Sequence, residues 1–172
     1  MKRIMYLVAV FLLFIVPSAH ISAQTPVATA SDEPSAFARG LNQTATFFDG
    51  RGNPVFEITL TGIERDWQGY DEYSAPDRGM VYIKLDFTFT NLTDRSDIIS
   101  PYDIMLIDEF GMAVEQGYFS DNRDIMTDDA AIAAGETIEG SVVYEIYADL
   151  EPMMVLWEPE YDLHVFIYLG ED

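Results

Sequence analysis

Residues 81–91, VYIKLDFTFTN, place Val81, Ile83, Leu85, Phe87 and Phe89 at every second position, with Tyr82, Lys84, Asp86, Thr88 and Thr90 between them. A period of two held this long describes a strand with one face buried and the other wet, and it does not fit the 3.6-residue period of a helix. Such a strand needs neighbours for its backbone and a second layer for its apolar face. Other segments with the same alternation supply both. Residues 55–63, VFEITLTGI, carry Phe56, Ile58 and Leu60 on one face, and 137–147 ends in the alternating VVYEIY. Shorter strands are expected at 44–48, 104–107, 112–114, 153–157 and 163–169, the last two separated by Pro159. The runs DGRGNP at 49–54, NLTD at 91–94 and DEFG at 108–111 are turn signals, and the last makes a hairpin of the strands beside it. Residues 64–79 hold Trp67, Tyr70 and Tyr73 with Gly69, Pro76 and Gly79 and no period, which reads as a loop. About seven to eight short strands and no long amphipathic helix predict an all-β fold, an antiparallel β-sandwich.

The first residues follow a different plan. Lys2 and Arg3 precede an apolar run at 4–16, then Pro17 and a small-residue stretch ending Ile21-Ser22-Ala23. That is the three-part pattern of a secretory signal peptide, and the apolar run falls short of the roughly 20 residues a membrane span needs. Residues 1–23 are therefore expected to be removed, so that no stable membrane insertion follows cleavage. Residues 24–40, rich in Ala, Ser, Thr and Pro, read as a flexible linker, and 41–172 as one sandwich domain. The chain has no cysteine, so neither a disulfide nor a lipid anchor on a cysteine thiol is open to it. Taking 23 residues from 172 leaves 149, enough for one domain that buries on the order of 70% of its unfolded surface.

Loss of Lys2 and Arg3 leaves 7 basic residues against 30 acidic ones, a charge of −23, with Lys84 the one lysine. This field repels phosphate backbones and anionic lipid surfaces, which disfavours nucleic acid as a partner. It keeps the chain soluble and attracts cations and basic partners.

The order of landmarks is more specific than the strand count. FTNLT at 89–93 is followed by ISPYDIMLID at 99–108, then Gly111, then AGETIEGSVVY at 134–144. This resembles a family of secreted bacterial domains of unknown function with an immunoglobulin-like sandwich, similar to telokin and to the mycobacterial immunoprotective extracellular protein. The resemblance covers about residues 56–157 and implies an immunoglobulin-like fold without an assigned enzymatic activity. Turn chemistry accounts for the landmarks themselves: Asn91 tolerates a left-handed conformation, Gly111 and Gly135 supply positive φ, and Gly140 within a strand marks a bulge or a close approach.

Catalytic chemistry finds little to build on. The mature chain has one histidine, His164, on the opposite face of the last strand from Leu163, Val165 and Ile167, and no nucleophile motif accompanies it. Zinc sites of the His/Cys kind and Gly-rich phosphate loops are lacking too. Acidic pairs are abundant but uninformative in so acidic a chain, which leaves a carboxylate-based hydrolase a distant third reading. Oxygen-rich chemistry is the exception. Asp121, Asn122, Asp124, Asp128 and Asp129 form a cluster able to donate ligands to calcium, although the EF-hand glycine and closing glutamate are missing.

Aromatic residues suggest an interaction surface of Tyr70, Tyr73, Tyr82, Lys84 and Tyr118, in loops or on the outer row of the opening strand. Met105, Met112, Met153 and Met154 are expected to fill core. The expected function is a secreted or cell-surface binding module without catalysis, its partner an extracellular protein or ligand that the sequence does not name. A calcium-stabilised extracellular domain is the runner-up.

Overall fold

A computed structural model describes residues 35–117, 119, 125–160 and 163–169. The expected leader, most of the linker, Tyr118, Asp121, Asn122 and Asp124 lie outside them. The described strands are β1 (Phe37–Arg39), β2 (Thr44–Phe48), β3 (Pro54–Arg65), β4 (Met80–Asn91), β5 (Asp97–Ile99), β6 (Ile104–Asp108), β7 (Ala113–Gln116), β8 (Ala130–Ile132), β9 (Thr137–Tyr147), β10 (Pro152–Glu160) and β11 (Leu163–Tyr168). The all-β expectation holds, but the strands number eleven among the described residues instead of seven to eight. The surplus is β1, β5 and β8, each of three residues, too short to display a period.

Nine strands join in one sheet in the order β1-β11-β10-β6-β7-β9-β4-β3-β2, and β5 pairs with β8 in a separate ribbon. The opening strand, β4, pairs along its length with β9 on one side and β3 on the other, so its central place is as its pattern requires. β7 carries the sheet around its corner: Ala113 and Val114 pair with β6, whereas Glu115 and Gln116 pair with β9. At the other side the edges approach, and the Thr46 N–H donates to the Ser35 carbonyl at 2.6 Å. The sheet thus folds into two facing layers, a β-sandwich curled nearly to closure.

The facing layers bury Phe47, Phe56, Ile58, Leu60, Leu85, Phe87, Phe89, Val142, Leu106, Val155, Trp157 and Ile167. Trp157 stands at the centre with Phe47, Phe56 and Phe89 around it at centroid distances of 5.7–5.8 Å. A smaller cluster of Trp67, Tyr82, Phe119, Ile125 and Val143 forms on the outside of β4 and β9, where the 66–79 loop and the residues after β7 fold over the strands.

Local expectations need three corrections and one choice between alternatives. Phe37–Arg39, assigned to the linker, is a strand parallel to β11 with Ala38 in the core. β10 continues through Pro159, at the cost of a register irregularity between Trp157 and Glu160, because proline has no N–H for the ladder. Asn91 is not in the left-handed region, which among the described non-glycine residues holds Asn42 and Asp66. Gly140 stands in unbroken register against Phe87, so its role is close approach: an added Cβ would meet the Met126 side chain.

The landmark residues make the turns by hydrogen bonding. Asn91 is fully buried at the end of β4; its amide donates to the Arg95 and Ala133 carbonyls at 2.8 and 3.1 Å. Its carbonyl oxygen accepts the Thr93 N–H and hydroxyl at 2.9 and 2.7 Å. Its own backbone N–H donates to the Glu136 carbonyl, so two landmarks distant in sequence meet. Asp108, also buried, accepts the N–H groups of Phe110 and Met112 and so shapes the β6–β7 hairpin around Gly111 at φ 78°.

Candidate functional site

The two layers differ in what their outer faces carry. Outside β2, β3, β4 and β9 the side chains are mostly polar or covered, with Tyr147 at the end of β9 exposed. Hydroxyl pairs Thr44–Thr59 and Thr90–Thr137 bridge strands at 2.8 and 2.9 Å. Farther along β4, Asp86 Oδ1 accepts from Lys84 Nζ at 2.8 Å and from the Ser141 hydroxyl at 2.5 Å. Burial works against the Asp86 charge, yet the hydrogen bonds from Lys84 and Ser141 outweigh it and hold the carboxyl below its usual range. Gly62 opposite makes room, since a Cβ there would stand 2.6 Å from Asp86 Oδ2.

The outer face of β6, β10, β11 and β1 is apolar. Ile104, Leu106, Val155, Trp157, Val165, Ile167 and Ala38 point into the core, so the residues alternating with them point out. Strand register sets these outward residues in rows. Leu156 pairs with Met105 on one side and Phe166 on the other, and Phe166 pairs with Phe37. One step along, Met154 pairs with Ile107 and Tyr168, and Tyr168 with Arg39. None of these side chains belongs to either core cluster. Phe37 is 44% exposed and Arg39 is exposed, while the others are half-buried or, at Ile107, nearly covered by their neighbours.

The ends of this face are charged. At one, the Arg39 guanidinium lies over the rings of Phe37 and Tyr168, 5.5 and 5.8 Å from their centroids. At the other, His164 stacks on Phe166 and its Nε2 lies 3.3 Å from Glu158 Oε1. Asp103, just before β6, belongs to the same acidic flank. Its carboxyl is pushed above the usual range by burial first and then by the charges of Asp129 and Glu158.

Sequence reasoning missed this surface, although the sequence carries a signal for it. MMVLW in β10 and VFIY in β11 are continuous apolar runs. A strand with one wet face alternates; a run without alternation declares both faces apolar.

The residues expected to form an interaction surface are not brought together in one exposed patch. Tyr82 is buried, its hydroxyl donating to the Ser74 carbonyl at 3.0 Å, because the loop aromatics cover the outer row of β4 at that point. Tyr70 packs on the same cluster and bonds Gln68, Lys84 is half-buried against Asp86, and Tyr73 is 90% exposed. Tyr118 lies outside the described residues. Of the calcium candidates, Asp128 and Asp129 are exposed, and Asp121, Asn122 and Asp124 are outside the described residues. Among the described residues no group of three or more His, Asp or Glu side chains is placed to hold a metal. Three of the four methionines depart from core filling: Met105 and Met154 lie on the outer face, and Met112 is 65% exposed at the hairpin.

A shallow cavity of about 310 Å³ opens between the β2–β3 turn and residues 93–98, with Phe47, Phe56 and Ile98 beside Asp49, Asp94 and Arg95. Asp49 has its oxygens committed to the turn. The Asn53 side-chain amide, then the Asn53 and Arg51 backbone N–H groups, hold its carboxyl below the usual range. This carboxylate shapes a turn and does not serve as a proton donor.

A curled sandwich with one polar and one apolar outer face defines a class of all-β protein, and solved structures share its fold. The chain is similar to MPT63, a secreted protein of Mycobacterium tuberculosis, with a TM-score of 0.59 and 13% identity over 82% of this chain and 100% of that one. It is similar to the yjhA protein of Bacillus subtilis, with a TM-score of 0.57 and 11% identity over 77% of this chain and 99% of the other. The ycdA protein of Bacillus subtilis, described as a candidate lipoprotein, matches with a TM-score of 0.55 and 13% identity over 67% of this chain. The chain spans 36% of that protein's length. Residues 53–163 match the profile of DUF4352, a domain of unknown function, and the chain belongs to that family. No curated protein matches it.

Proposed function

We propose that this protein is an extracytoplasmic binding module of immunoglobulin-like type, without catalysis, that engages its partner through the outer face of β6, β10, β11 and β1. One observation carries this reading: the sheet turns Met105, Leu156, Phe166 and Phe37, and beside them Met154 and Tyr168, away from the core, Phe37 exposed and the others half-buried. Contiguous apolar surface on a chain otherwise so acidic is the mark of an interaction site. The extracytoplasmic part rests on the signal-like N-terminus and on the likeness in fold to a secreted protein. The non-catalytic part rests on the sequence, which has no nucleophile or metal motif with a mechanism. The charge supports the further expectation of no nucleic-acid partner.

The test is a pull-down from the native secretome with three baits: the wild-type chain, Leu156→Thr combined with Phe166→Thr, and Lys84→Gln on the opposite layer. Threonine keeps strand propensity while removing apolar surface. A partner retained by wild type and Lys84→Gln but lost from the double variant is the expected result. Retention by all three baits, or loss from Lys84→Gln alone, counts against this face.

A further inference from the structure

Resting on that reading, we propose that the occupant of this face is a basic amphipathic polypeptide segment, extended along the strands, with apolar side chains on the two rows and a lysine or arginine at the Asp103–Glu158 flank.

Geometry sets the register. Outward rows on a sheet lie two residues apart along the strand, about 7 Å, the same interval that separates alternate side chains of an extended segment. Residues i and i+2 of the segment then meet the Met154–Tyr168 and Leu156–Phe166 rows, and i+4 reaches the row where Glu158 and His164 stand.

Charge selects the chemistry. The chain has 30 acidic residues against 9 basic ones, so a second copy on this face would bring like charge with it. At the Arg39 end the guanidinium already lies on two rings of the face itself. At the other end stand the half-buried Asp103 and Glu158, with His164 Nε2 3.3 Å from Glu158 Oε1; burial first, and then the charges of Asp129 and Glu158, push the Asp103 carboxyl up. An arriving cation relieves that repulsion while the apolar side chains beside it lose water.

Three labelled peptides test this by fluorescence anisotropy with the purified protein: alternating Leu and Lys, alternating Leu and Glu, and alternating Ser and Lys. The Leu/Lys peptide is expected to bind, the Leu/Glu peptide not to bind, and the Ser/Lys peptide to bind more weakly and lose that binding as salt rises. Removal of an aromatic anchor by Phe166→Thr, or by Phe37→Ser at the sheet edge should the first disturb folding, is expected to weaken Leu/Lys binding at least about tenfold. Asp103→Asn with Glu158→Gln is expected to weaken it about two- to fivefold and to flatten its salt dependence. Circular dichroism and thermal melting check that each variant is folded.

Equal Leu/Lys binding to wild type and face variants would show attraction by bulk charge and overturn the proposal. Binding of Leu/Glu as tightly as Leu/Lys would overturn it too. A dimer in sedimentation that Phe166→Thr abolishes would assign the face to a second copy. In that case, or where the secretome partner depends on the face but Leu/Lys does not bind, the face stands as an interaction surface and only the occupant is wrong. Secretome retention indifferent to the face removes the reading on which this one rests.

Discussion

At the scale of single residues, Asn91 shows how a polar side chain serves a core. It is fully buried, yet its amide and carbonyl meet donors and acceptors from its own turn and from residues more than 40 positions away. Asn91→Ala leaves those groups unmet and is expected to cost about 2–4 kcal/mol, measured by urea denaturation. Asn91→Asp is expected to fare no better, because the Arg95 and Ala133 carbonyls need a donor that a carboxylate lacks. Two aspartates give a pH test of opposite signs. Asp86 has a lowered folded-state pKa, so its stabilisation is present above the unfolded-state value and is lost as pH falls through the folded one. Asp103 has a raised one, so its ionisation opposes folding from the unfolded-state value upward, fully so above the folded one. At neutral pH Asp86→Asn is expected to destabilise and Asp103→Asn to stabilise, each by less than about 1 kcal/mol at these partly exposed sites. Melting curves in acid, below both folded-state values, should show neither difference.

At the scale of elements, Arg65 at the end of β3 clamps the turn between β9 and β10. Its guanidinium donates to the Ala148 and Leu150 carbonyls at 3.0 and 2.7 Å and to Glu151 at 2.8 Å. Arg65→Ala is expected to lower stability by about 1–2 kcal/mol, and Arg65→Lys to recover less than half of that, since one ammonium does not reproduce the fork. Chemical denaturation of the three proteins measures both. The long strands β3, β4 and β9 are legible in the sequence because each has one wet face, so solvent imposes the alternation. β1, β5 and β8 are not, because three residues exist as strands only through the neighbours they pair with. The outer face of β10 and β11 was legible as continuous apolar runs, but a run of that kind does not say which strands stand beside it.

At the scale of the whole molecule, the net charge of −21 acts on stability as well as on partners. Self-repulsion is screened by salt, so the melting temperature is expected to rise with sodium chloride and then level off. Calcium binding in the Asp121–Asp129 region would add to this. Calcium is therefore compared with magnesium at equal ionic strength: a rise specific to calcium supports the cluster as a site, and equal rises show screening alone.

The alternation of residues 81–91, and of the segments that share its pattern, was enough to read the long strands, an all-β fold and the turns between them, since period and turn chemistry are local properties of the chain. Phe87 and Phe89 read as core, and are core, for that reason. It was not enough to read that nine strands join in one curled sheet with a parallel β1–β11 pair. Which outer rows stay open is not local. Tyr82 lies on the outward row of β4 and is buried because Trp67 and Phe119 fold over it, whereas Phe166 stays half-buried beside Leu156 and Phe37, outside both core clusters of the described residues. Covering and exposure depend on where distant loops come to rest, and so they were decided by the packed molecule as a whole.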